Sequence, residues 1–152
     1  MGRSSQGNVR REGPQPREQE VSALLESVEA IEAQIQARLH YDRRKVPGFD
    51  YDGQPISRWY LERIPCLLSA DGLKMSVQTS YSHYCSPRDS YGPWFTVEVG
   101  FPNRRVEALM PYIDGGADTD PTDAVYGYVP LRTVAEVIAA AGGLLPEERS
   151  NA

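Results

Sequence analysis

The residues best able to do chemistry are concentrated in Ser80-Tyr81-Ser82-His83-Tyr84-Cys85-Ser86-Pro87-Arg88-Asp89, which brings a histidine, a cysteine, an arginine and an aspartate into one strand end and loop. Two positions apart on a strand, His83 and Cys85 point to the same face, as a metal site or a thiol–imidazole pair requires. A structural zinc site needs further ligands, and His40 and Cys66 are what the chain has left to supply them. A nucleophilic Cys85 needs an exposed thiol with a lowered pKa, which sequence does not display. The ordinary alternative is a buried cysteine with a hydrogen-bonded histidine at a sheet edge, and no metal is assigned. If the stretch were an enzyme or ligand site, Arg88 would bind a phosphate or carboxylate and Asp89 would orient His83.

Other catalytic patterns are missing. The acidic loop Asp114 to Asp123 lacks the glycine and closing glutamate of a calcium-binding EF-hand loop, and Asp50-Tyr51-Asp52-Gly53 fails in the same way. Both read as solvated turns. Gly115-Gly116 and Gly142-Gly143 follow elements rather than open a helix with phosphate-loop spacing, and no G-x-S-x-G elbow or H-E-x-x-H helix occurs. No cofactor is implied.

Tyrosine is the more informative residue. The nine tyrosines outnumber Phe and Trp together, with Tyr81, Tyr84 and Tyr91 around the histidine loop and Tyr126 and Tyr128 in a later strand. A phenol ring offers apolar area with a polar tip, which suits a surface that is soluble alone and dry when bound. With Arg88 these five form a candidate interaction surface; the competing reading is that they fill the margin of the core.

Helices and strands must position these groups. Residues 1–15, nearly free of apolar side chains, are expected to form a flexible tail, and Pro16 suits the first turn of a helix. Val21, Leu24, Val28, Ile31 and Ile35 then recur at helical spacing, predicting an amphipathic helix over 16–45. That stripe fits either packing on its own domain or a short coiled-coil seam making a homodimer. Pro47 and Gly48 predict a linker over 46–55. Residues 56–145 read as the domain, in which 56–64 fits helix or strand. A hairpin turns at Asp71-Gly72, with Leu73, Met75, Val77, Thr79 and Tyr81 facing inward. A strand from Trp94 to Phe101 places Phe95, Val97, Val99 and Phe101 on one side. Asn103 is expected to cap a short helical turn carrying Val106, Leu109 and Met110. A strand over 124–129 leads through Pro130 into a last helix that Gly142-Gly143 stops. Residues 146–152 read as a flexible end. The class predicted is α+β: a small antiparallel sheet of three to five strands with helices on one face, preceded by the long amphipathic helix.

Bulk properties bound the function. The formal net charge of −5 opposes binding to bare nucleic acid. No apolar run approaches the roughly 18 residues of a membrane span, and charges stand where a signal peptide has its apolar core, so a cytoplasmic protein is expected. Charge runs in blocks, basic at Arg3, Arg10, Arg11 and Arg17, acidic at Glu18, Glu20, Glu26, Glu29 and Glu32, then basic at Arg38, Arg43, Arg44 and Lys45, which favours a protein partner with complementary patches.

Finally, Met75-Ser-Val-Gln78, His83-Tyr-Cys-Ser-Pro-Arg88, Val97-Glu-Val-Gly-Phe-Pro102 and Val125-Tyr-Gly-Tyr-Val-Pro130 resemble strings in small uncharacterised proteins of bacteriophages and prophages. The resemblance covers Cys66 to Gly143. It implies a mobile-element setting, in which small acidic proteins often bind a host protein, including components of host defence; it carries no functional residue across. The sequence thus predicts a non-enzymatic module that binds a host or phage protein, with a small enzyme or ligand-binding domain around His83, Cys85, Arg88 and Asp89 as the alternative.

Overall fold

The computed structural model describes residues 16–147. Helix α1 runs from Pro16 to Leu39, and Val28, Ile31, Ile35 and Leu39 are buried along it. The expected seam residues from Val28 onward therefore pack inside their own domain; the side chains of Val21 and Leu24 lie outside the described residues. The helix stops short of residue 45. His40 leaves the helical region (φ −55°, ψ 127°), and a single turn, α2 (Tyr41–Arg44), follows it. Beyond the break the Tyr41 ring meets Tyr91 edge-on at 5.4 Å.

Strand β1 (Lys45–Phe49), where the sequence predicts a linker over 46–55, pairs antiparallel with β2 (Pro55–Leu61), which settles 56–61 as strand rather than helix. Pro47 and Gly48 break helices, but a two-stranded ribbon tolerates them, because its register shifts between these two residues. The turn between the strands is tied by Asp50, whose Oδ1 accepts the N–H groups of Asp52 and Gln54, both at 2.9 Å.

The main sheet has five strands: β3 (Leu67–Leu68), β4 (Lys74–Gln78), β5 (Thr96–Gly100), β6 (Ile113–Asp114) and β7 (Val125–Pro130), ordered β3-β4-β5-β7-β6 and antiparallel throughout. Val77 lies opposite Val99, Val99 opposite Tyr126 and Tyr126 opposite Ile113, so one row of apolar side chains crosses four strands. This row joins Val28, Ile31, Ile35 and Leu39 of α1 and Val134, Ala135 and Ile138 of α3 (Leu131–Ala140) in a single core. The architecture is α+β, as predicted. Its two edge strands are short, which limits edge-to-edge pairing.

Alternation holds only where the ladder continues. Val97 and Val99 point inward as expected, but Phe95 and Phe101, assigned to the same side, are exposed, and Trp94 is buried instead. Trp94 and Phe95 precede β5, while Phe101 follows it with a left-handed φ of 52° that turns its ring outward. Asn103 also differs from expectation. The 3-10 turn Glu107–Tyr112 is entered at Val106, and Asn103 instead clamps the Asp71-Gly72 hairpin by accepting from Lys74 N and donating to Gly72 O, each at 2.9 Å.

Candidate functional site

Residues 79–95 form a long connection between β4 and β5 that folds over the sheet and is braced by its own polar groups. Ser80 Oγ is 2.6 Å from His83 Nδ1 and 2.9 Å from Ser82 Oγ, and it accepts the Ser82 N–H. Cys85 is fully buried, with Sγ directed at the carbonyls of Ser80 (3.2 Å) and Pro87 (3.5 Å). Burial pushes its thiol pKa up, the reverse of what a nucleophile needs. Asp89 Oδ1 accepts the N–H groups of Tyr91 and Gly92, and its carbonyl accepts the Trp94 indole N–H at 3.3 Å. Thus Cys85 and Asp89 serve the loop's own folding: the thiol faces carbonyls, Asp89 Oδ1 closes the Tyr91–Gly92 turn, and His83 Nδ1 meets Ser80 Oγ. Among the described residues, no group of three or more His, Cys, Asp or Glu comes together as a metal site.

What the loop does present is Tyr84. Its N–H donates to Glu98 Oε2 at 2.9 Å and its carbonyl accepts the Tyr128 N–H at 2.9 Å, so β5 and β7 both hold its backbone. Gly127 lies beneath it, where an added Cβ would stand 3.2 Å from Tyr84 Cβ. The Tyr84 and Tyr128 rings are 6.0 Å apart, and the Arg88 guanidinium carbon lies 5.3 Å from the Tyr84 ring centre while Arg88 Nε donates to Tyr81 O. Tyr84 is 43% and Tyr128 46% exposed. Three of the predicted interaction residues, Tyr84, Arg88 and Tyr128, therefore form one contiguous outer patch. A φ of 53° at Tyr128 turns its ring out of the core row.

No family model, no curated protein and no solved structure matches this chain.

The other predicted tyrosines separate. Tyr126, expected on the surface, is fully buried because β7 sets it between Val99 and Ile113; its hydroxyl donates to Pro121 O at 2.6 Å, and burial raises its pKa. Tyr81 is half-buried. Tyr91 is exposed but belongs to a second cluster, with Tyr41, His40 at 5.4 Å from the Tyr41 ring, and Lys45 Nζ 5.8 Å above that ring. Beside it Gln36 reaches from α1 to the backbone of Trp94.

Sequence reading missed a further cleft, of about 530 Å³, between α1, the start of β5 and the start of α3. Trp94 and Leu131 form its buried floor, and Phe95, 74% exposed, stands at its rim. No helix among the described residues is long and apolar enough to cross a membrane.

Proposed function

We propose that this protein is a non-enzymatic interaction module of phage or prophage type that seats a host or phage protein on the patch formed by Tyr84, Arg88 and Tyr128. The observation that carries this reading is the pair of exposed rings 6.0 Å apart with an arginine over the Tyr84 ring, the Tyr84 backbone being held by the Glu98 side chain of β5 and by the Tyr128 N–H of β7. Tyrosine and arginine are enriched among the residues that dominate binding energy, and rings already fixed in place lose little entropy on association. The acidic balance and the resemblance to phage strings favour a site of action in the host cytoplasm, and inhibition of a host defence protein is the specific version of the proposal. The alternative, a small enzyme or ligand site around His83, Cys85, Arg88 and Asp89, draws less support, since the thiol is buried and its pKa raised and His83 Nδ1 is bonded to Ser80 Oγ.

The test is capture from bacterial host lysate with the tagged full chain, alongside Arg88→Glu and Tyr128→Ser. A stoichiometric partner retained by the natural chain and lost by both variants supports the proposal. Either no such partner, or one that both variants retain equally, overturns it, provided their melting curves match the natural chain.

A further inference from the structure

The cleft between α1, the residues just before β5 and the start of α3 has three features that bear on an outside ligand. First, Glu32 Oε1 is buried there with no hydrogen-bond partner. Its nearest cation, Arg132 Nη1, stands at 3.8 Å, too far for a hydrogen bond, and Arg132 also pairs with Glu136 at 3.4 Å on its own helix. A buried carboxylate oxygen without a donor is costly, and the cost disappears when a donor enters. Second, the floor of Trp94 and Leu131 is apolar, and the Phe95 ring projects beside it. Third, the wall supplied by α1 carries Glu29 as well as Glu32, giving that side of the cleft an acidic character.

We propose that this cleft is a docking site for a partner-protein segment that presents a lysine or arginine beside a large apolar side chain. The cation donates to Glu32 Oε1, with Glu29 reinforcing the attraction, while the apolar group packs on Phe95 and Leu131. Charge complementarity decides the occupant: Glu29 and Glu32 outnumber Arg132 in the lining, so an acidic segment would meet net negative charge, and a neutral apolar one would leave the Glu32 oxygen without a hydrogen-bond donor. This inference rests on the reading of the protein as an interaction module, but not on the Tyr84–Tyr128 patch.

Trp94 on the floor supplies the readout. In the full chain carrying Trp59→Phe, Trp94 is the remaining tryptophan, and its emission is followed while an amidated peptide of alternating leucine and arginine is added. Peptides with glutamate or glutamine in place of arginine serve as controls. The expected result is a saturable change with the arginine peptide, weakened by about tenfold or more in Glu32→Gln and in Phe95→Ser, unchanged in Tyr128→Ser, and much weaker with both controls. No saturable change overturns the proposal, as does equal affinity in Glu32→Gln or equal binding of the acidic peptide. Light scattering that finds a dimer dissolved by Phe95→Ser overturns it in favour of a second copy of the chain. Because Tyr128→Ser is included, failure of the cleft and failure of the tyrosine patch are read separately.

Discussion

The Gln36 side chain closes both backbone positions of Trp94, donating from Nε2 to the Trp94 carbonyl at 2.6 Å and accepting the Trp94 N–H at Oε1 at 3.2 Å. A side-chain amide on α1 thus does what a neighbouring strand would do, at the point where the chain enters β5. Gln78 repeats the device from the end of β4, bonding the Ile64 N–H and carbonyl at 3.1 and 2.9 Å. Truncating Gln36 to alanine leaves two backbone groups short of partners and should cost about 1–3 kcal/mol in urea unfolding. A loss of similar size is not expected at neighbouring Ala37, which is exposed.

The two cysteines should differ sharply in reactivity. Cys66 is exposed, whereas Cys85 is buried and its pKa is raised by desolvation. A thiol reagent at pH 8 is expected to label Cys66 promptly and Cys85 only when the protein unfolds. Mass spectrometry of the peptides decides this, and rapid native labelling of Cys85 would return it to consideration as a nucleophile.

Ile35 separates a core position from a dimer seam. It is fully buried within its own chain, so Ile35→Ala should destabilise the fold by about 2–5 kcal/mol at any protein concentration. Were the residue part of a seam, the same change would instead make stability and mass depend on concentration. Chemical unfolding at two concentrations, together with light scattering, distinguishes the cases.

Acid should weaken the Asp71-Gly72 hairpin. The bidentate Arg104 guanidinium, and then the Leu73 N–H, hold the Asp71 carboxyl below its ordinary value of 3.8. With the folded pKa depressed, the contribution is complete well above pH 3.8 and is lost as pH falls through the folded value. Asp71→Asn keeps an acceptor for Leu73 but not the ion pair. The variant should therefore melt lower than the natural chain at pH 6 and lose less on going to pH 3; parallel pH profiles would show that the pair contributes nothing.

Much of the fold was legible because local rules governed it. Alternation marked β4 and the centre of β5, Asp71-Gly72 marked a turn that Gly72 closes with a φ of 96°, and Gly142-Gly143 marked the end of α3, where the Gly143 N–H reaches back to Ile138 O. The candidate surface was only partly legible. Tyr84 and Arg88 are neighbours in the chain but Tyr128 is distant from both, and nothing in the spacing reveals that Gly127 leaves room for Tyr84. The same blindness placed Tyr126 outside: strict alternation puts Tyr126 and Tyr128 on one face, and only the left-handed φ of 53° at Tyr128 separates them.

By itself, the sequence determined the α+β class, the antiparallel pairing of its hairpin and the apolar stripe of α1, because short-range sterics and burial periodicity act between residues close in the chain. Tertiary structure decided the partner of that stripe, the folding of the expected linker 46–55 into a hairpin whose second strand takes up residues 55–61, and the exposure of Phe95 beside a buried Trp94. Each of these depends on whether distant side chains offer better packing or hydrogen bonding than the local alternative, and that balance exists only once the chain has closed on itself.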